Sequence, residues 1–236
     1  MDAFMHADFW VAVGQIIMID ILLGGDNAVV IALACRKLPP ALRTKGIIWG
    51  TVGAIVLRVI LIFFALTLLA VSYLKRVGAV LLVWIGVKLL APDEDGHGDV
   101  QASDKLIAAI KTIIVADLVM SVDNVIAVAG AAESAGGDHK MSLVILGLLV
   151  SIPVIIWGSQ LVIKLMDRFP IIITPGGMLL GRIAANVAAT NPAVNSYLGH
   201  ALPAMARHSV GLAGALLVLG IGYTVKRRAA AAGPGG

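Results

Sequence analysis

Apolar residues run along this chain in long unbroken blocks, without the period-two alternation of a half-buried strand. A hydrocarbon core about 30 Å thick takes about 20 mostly apolar residues per helix. Seven segments fit that requirement: residues 9–34, 47–71, 77–91, 106–132, 141–163, 169–189 and 209–225. The third is short, with Lys88 near its end placed to extend its amine towards the headgroups. The sixth is interrupted by Pro170, Pro175, Gly176, Gly177 and Arg182, so a six-span chain is the alternative. The first segment does not read as a cleavable signal peptide, because Asp2 and Asp8 stand where basic residues belong and the apolar run is too long. The pattern predicts an all-α, polytopic membrane protein with one transmembrane domain over 1–236, ending in a disordered tail, 229–236.

Two of these segments share an unusual set of polar positions. The first reads Asp20-Ile-Leu-Leu-Gly-Gly-Asp26-Asn27, and the fourth reads Asp117-Leu-Val-Met-Ser-Val-Asp123-Asn124. Each acid and amide lies 97 residues from its counterpart, and Gly50 and Gly147 on the second and fifth segments keep the same offset. The chain therefore reads as a duplicated three-helix unit, about 8–91 and about 105–189, followed by a last helix over about 209–225. Three crossings reverse the sense of entry, so the second unit lies inverted relative to the first. Inverted repeats of this kind are common in secondary transporters, with the site near the midplane where the repeats meet.

An ionised Asp at a helix centre costs about 2.5–3.5 kcal/mol on insertion scales, so four left uncompensated would cost roughly 10 kcal/mol or more. Such residues must be protonated, paired or bound to a cation. The competing reading has them hydrogen-bonding with Arg58 and small polar residues solely to hold the bundle together. Seven residues turn about 700°, which puts Asp20 and Asn27 on one helix face and Asp117 and Asn124 on another. Asp26 and Asp123 lie about 100° away on an ideal helix. A local break at Gly24-Gly25 would swing Asp26 inward and free backbone carbonyls as ligands, the alternative for these glycines being close helix packing. Ser121-Val122 occupies the equivalent place in the second copy.

Composition narrows the class further. The chain is 59% apolar and 14% charged, with mean hydropathy +0.97, against about 45–50% and about 25% in soluble domains. Disordered, collagenous and disulfide-scaffold classes are excluded. Cys35 is the single cysteine, which leaves no intramolecular disulfide and no cysteine zinc cluster. Its expected role is packing. The net charge of +4 matters less than its distribution, and nucleic acid is not an expected partner. With seven spans one side receives Arg36, Lys37, Arg43, Lys45, Lys105, Lys111, Lys164, Arg168, Lys226, Arg227 and Arg228, and the other Lys75, Arg76, Lys140 and Arg207. Basic loops stay in the cytoplasm, so the N-terminus is expected outside and the C-terminus inside. The acidic loop 92–104 partly echoes a calcium loop, with Asp93 and Asp95 first and third, Gly98 sixth and Asp104 twelfth. His97 at the fifth position and the missing final Glu break that pattern, which favours a solvated linker.

Asp20, Asp26, Asp117 and Asp123 with Asn27 and Asn124 form a set of hard oxygen donors, suited to Mg²⁺, Ca²⁺ or Mn²⁺ rather than Cu⁺ or Zn²⁺. Arg58, mid-helix, is either a counter-ion or an electrostatic gate. The four tryptophans read as core residues or interface anchors. No nucleophile–base pair, nucleotide loop or HExxH sequence is visible, so no enzyme activity is expected, and no permanently bound cofactor. The expected partners are a divalent cation and the bilayer, with self-association left open.

The stretches GGDNAVVIALACRKLP (24–39), VADLVMSVDNVIAVAGAA (115–132) and LLVSIPVIIWGSQLVIKLMDRFPIII (148–173) resemble the TerC family of integral membrane proteins, most closely its YjbE-type branch. The resemblance covers about 8–190 and implies a seven-helix fold of the lysine-exporter superfamily type in a bacterial inner membrane. Family members are associated with manganese efflux, metal supply to exported proteins and tellurite resistance. The family acids match at Asp20, Asp26, Asp117 and Asp123. Some members carry a further acid where this chain has Ile114, so their metal stoichiometry and selectivity do not carry over unchanged. The resemblance points to Mn²⁺ efflux, with export of an amino acid or other small solute, or a non-transporting scaffold in a metal or tellurite stress response, as the competing functions.

Overall fold

The computed structural model describes residues 7–64, 72–91, 101–134, 140–190 and 203–231, with side chains for all of these except 7–9, 12, 13, 15, 16, 19–23, 72–75, 122–134, 140–144, 204 and 229–231. The seven expected helices are present: α1 (Ala7–Cys35), α2 (Pro40–Phe63), α3 (Ser72–Leu90), α4 (Ala102–Ser134), α5 (Lys140–Arg168), α6 (Ile173–Ala189) and α7 (Ala204–Ala231). A short 3₁₀ turn, Pro170–Ile172, separates α5 from α6. Among the described residues there is no strand. The stretches Pro40–Phe63, Ile145–Arg168, Pro170–Ala189 and Met205–Arg228 are each long and apolar enough to cross a membrane, and Gly24–Cys35 is a shorter apolar stretch.

Helix ends overrun the hydrophobic blocks. Pro40 opens α2 at a position where its missing N–H would have no helical partner. Helix α4 begins at Ala102, so Asp104 sits exposed in its first turn rather than at the end of a loop. A carboxylate there complements the positive end of the helix dipole. The acidic linker is correspondingly shorter than 92–104, and its residues 92–100 lie outside the described ones. Helix α7 continues to Ala231, into the tail expected to be disordered, because the alanines after Arg228 are strong helix formers.

Packing follows the duplication. Helix α1 lies against α5 as α2 lies against α4, α1 meets α2 as α4 meets α5, and α1 meets α6 as α3 meets α4. The pairs α1–α4, α2–α5 and α3–α6 map onto themselves when the halves are exchanged. This is a twofold relation between two three-helix units, the arrangement the inverted repeat predicts. Helix α7 stands outside it and packs on α6 and α3.

The glycines of the sixth segment serve contact rather than bending. A methyl group added to Gly181 would fall on the carbonyl of Gly214, and one added to Gly214 would fall on that of Gly181. Without a hydrophobic force between helices in lipid, backbone approach through small residues is a main source of association.

The bundle is apolar outside and carries its polar groups within. Phe63, Val80 and Trp157 are exposed, whereas Asn27, Thr51, Arg58, Asp117, Ser121, Ser151 and Ser159 are buried. Trp10, Trp49, Trp84 and Trp157 all lie on the outer surface, so none of the tryptophans is a core residue. Lys88 lies over the Trp84 ring, its Nζ 4.9 Å from the centroid. Cys35 is buried and free, in the packing role expected of it. The basic end is tied together by Arg43, which pairs with Asp167 at 2.6 Å and donates to the carbonyls of Leu38 and Arg36.

Candidate functional site

Helix α4 brings Asp117 and, one turn later, Ser121 to the seam with α2, where Arg58 faces them. The three close a triangle. Arg58 Nη2 donates to Asp117 Oδ1, Arg58 Nε donates to Ser121 Oγ at 3.0 Å, and Ser121 Oγ donates to Asp117 Oδ2 at 2.9 Å. All three are buried. The four-residue spacing puts the serine over the carboxylate on one helix face. Taking the two ions out of water is offset only because the geometry satisfies both, so removing one partner alone leaves a stranded charge. Asp117 thus has Arg58 and a small polar residue as partners, as the competing reading names them.

Beside this triangle lies a cavity of about 10 Å³ between α1, α2 and α4, about the least that holds one water molecule. Asn27 from α1 and Asp117 from α4 line it, with Val30, Ile31, Ala54, Ile113 and Met120 as apolar walls. Asn27 is only 4% exposed, and among the described residues neither its Oδ1 nor its Nδ2 has a hydrogen-bond partner. Buried amides are nearly always satisfied, and an orphaned one costs about 1–3 kcal/mol. The hydroxyl of Thr51 is likewise buried without a partner among the described residues. Thr51 stands seven residues before Arg58, on the same face of α2. Its orphaned hydroxyl was not legible in the sequence, because a lone threonine in a helix ordinarily returns its proton to a carbonyl one turn back.

Of the six predicted ligands, the structure brings Asn27 and Asp117 to one cavity. Asp26 is half-buried one residue before Asn27, and the charge of Arg182 on α6 bears on it. Helix α1 runs unbroken through Gly24-Gly25, contrary to the expected local break. Opening a turn in lipid would leave backbone groups unsatisfied, and Gly24 is buried where a methyl group added to it would meet Ile155 of α5 at ordinary contact distance. Asp26 thus keeps its helical position about 100° from Asn27. Asp20 is carried by α1, and Asp123 and Asn124 by α4, with side chains outside the described residues. Among the described residues no three His, Cys, Asp or Glu side chains cluster. Ile114, at the position of the extra acid in some family members, packs over Gly53 of α2.

The chain matches the family described as Integral membrane protein TerC family over residues 5–230. It is 44% identical to the uncharacterized membrane protein YjbE of Bacillus subtilis (strain 168) over 75% of this chain and 78% of that one. It is 24% identical to the uncharacterized membrane protein YceF of the same strain, over 76% of this chain and 71% of that one. It is also 24% identical to the UPF0053 inner membrane protein YgdQ of Escherichia coli (strain K12), over 68% and 73%. No solved structure matches it.

Proposed function

The chain belongs to the TerC family of integral membrane proteins, and from that premise we propose that it exports a divalent metal cation, Mn²⁺ foremost, across a bacterial inner membrane. The N-terminus is outside and the C-terminus cytoplasmic, from the loop charges. The observation that carries this reading is the orphaned Asn27 amide, held beside the Asp117 carboxylate in a cavity where the two repeats meet. An amide oxygen and a carboxylate are hard donors of the kind Mn²⁺ accepts. Mg²⁺ sheds water reluctantly and demands short, near-ideal octahedral geometry, so a small, largely dry site favours Mn²⁺.

Arg58 then has a defined part. In the state described here its guanidinium neutralises Asp117, acting as a tethered cation. An arriving dication competes for the same carboxylate, and Arg58 must give up that hydrogen bond for the metal to bind. Departure of the metal restores the pair, so no state leaves Asp117 ionised and alone.

The same triangle supports a second reading, a bundle held together by a polar network that transports nothing. Mn²⁺ uptake into everted vesicles separates the two. Under the transport reading Asn27→Ala lowers uptake at least tenfold with normal amounts of protein in the membrane. Unchanged uptake in Asn27→Ala would favour the scaffold.

A further inference from the structure

Among the described residues lining the small cavity where the repeats meet, three side chains carry an atom able to coordinate a metal: Asn27, Asp117 and Met120. The rest of the lining is hydrocarbon. Met120 is buried, at 6% exposure. It follows Asp117 by three residues on α4, so the two side chains share a helix face. Amide and carboxylate oxygens suit Mg²⁺, Ca²⁺ and Mn²⁺ alike, so by donor type they do not separate these ions. A thioether sulfur is a soft donor and does.

The duplication shows what packing alone asks for at this place. Met120 and Leu23 lie 97 residues apart, the offset of the duplicated acids. Leucine and methionine exchange in packed interiors at little cost, so a leucine would fill the same volume. Sulfur is what methionine adds. We propose that Met120 is the selectivity residue of the transport site, its Sδ a ligand that Mg²⁺ and Ca²⁺ refuse and that Mn²⁺ tolerates. The inference rests on the transport reading and adds to it the ions that the site turns away. Methionine is unbranched and flexible, so Sδ can swing to a metal on Asp117 once Arg58 has released that carboxylate. Mg²⁺ and Ca²⁺ take oxygen ligands, and each gains less than Mn²⁺ from exchanging a water for sulfur. A still softer dication, Cd²⁺, gains more.

Mn²⁺ uptake into everted vesicles, with Mg²⁺ or Cd²⁺ as competitor, tests the assignment in the wild type, Met120→Leu and Met166→Leu. Met166 is also buried, on α5, and lies outside the cavity lining. Met120→Leu reaches the membrane in normal amounts and still carries Mn²⁺. Its half-inhibition by Mg²⁺ moves to about tenfold lower concentration and that by Cd²⁺ to about tenfold higher, as loss of a ligand contact allows. Met166→Leu moves neither. Unchanged inhibition in Met120→Leu, equal shifts in both variants, or loss of Met120→Leu from the membrane would overturn the assignment and leave the transport reading standing, because the wild type still carries Mn²⁺. A wild type that takes up no Mn²⁺ would overturn both.

Discussion

Two contacts occupy equivalent places in the halves of the bundle. In one, Ile155 of α5 faces Gly24 of α1, at ordinary contact distance from a methyl group added there. In the other, Arg58 of α2 reaches Ser121 of α4 and the Asp117 carboxylate. Arg58 and Ile155 lie 97 residues apart, as do Gly24 and Ser121, the offset that relates the duplicated acids. One architectural contact has thus been filled with an ion pair in one half and a hydrocarbon contact in the other. Duplicated acids do not imply duplicated chemistry. The Asp117 side carries a built-in counter-ion, whereas the matching position beside α1 holds isoleucine.

The strongest way to break this comparison is to make the halves alike. Arg58→Ile removes the cation paired with the buried Asp117 carboxylate and is expected to destabilise the protein by about 3–5 kcal/mol. Adding Asp117→Asn to it should recover most of that loss, because the residue left behind is neutral. Thermal unfolding in detergent of the two single variants and the double variant checks the coupling. Additive effects would show that the two side chains act separately.

The reverse exchange, Ile155→Arg, places a cation against Gly24. An arginine at membrane depth costs about 2.5–3.5 kcal/mol on insertion scales. Acids nearby on α1 would offset part of it, so a smaller loss of stability than that of Arg58→Ile is expected, together with loss of metal transport. The same unfolding assay and vesicle uptake report both quantities.

Helix α7 adds a third difference, because it attaches at α6 and α3 and has no partner by the twofold. Gly214→Val sets a branched side chain against the Gly181 carbonyl and should destabilise by about 1–3 kcal/mol, as overpacking does. Protease accessibility of the α6–α7 pair follows the loss. An equally large effect from Gly220→Val, where an added methyl meets open space, would show that helix propensity rather than packing is being measured.

Much of this was legible in the sequence, and the gaps have physical causes. Long apolar blocks identified the seven helices because lipid leaves the backbone no alternative to internal hydrogen bonding. The helix ends were not, since charged residues such as Asp104 and Lys105 continue a helix beyond the apolar block. The 97-residue offset revealed the duplication, and the packing of α1 on α5 and of α2 on α4 repeats it. Arg58 stood out as a buried charge, but its partner lies 59 residues away and is chosen by helix packing, which no local pattern encodes. Gly24-Gly25 misled for a related reason. Two glycines read as a hinge or as a contact surface, and the helix runs unbroken through both.

The smallest effect on stability is expected at Asn27, and it bears most directly on the central claim that the cavity between the halves is a cation site. Asn27→Ala removes an amide that already lacks partners, so the unfolding free energy should change by no more than about 1 kcal/mol, the loss of packing being offset by relief from desolvation. Mn²⁺ uptake into everted vesicles should fall at least tenfold at unchanged protein level. Uptake at the wild-type rate in this variant, with stability also unchanged, would contradict the account.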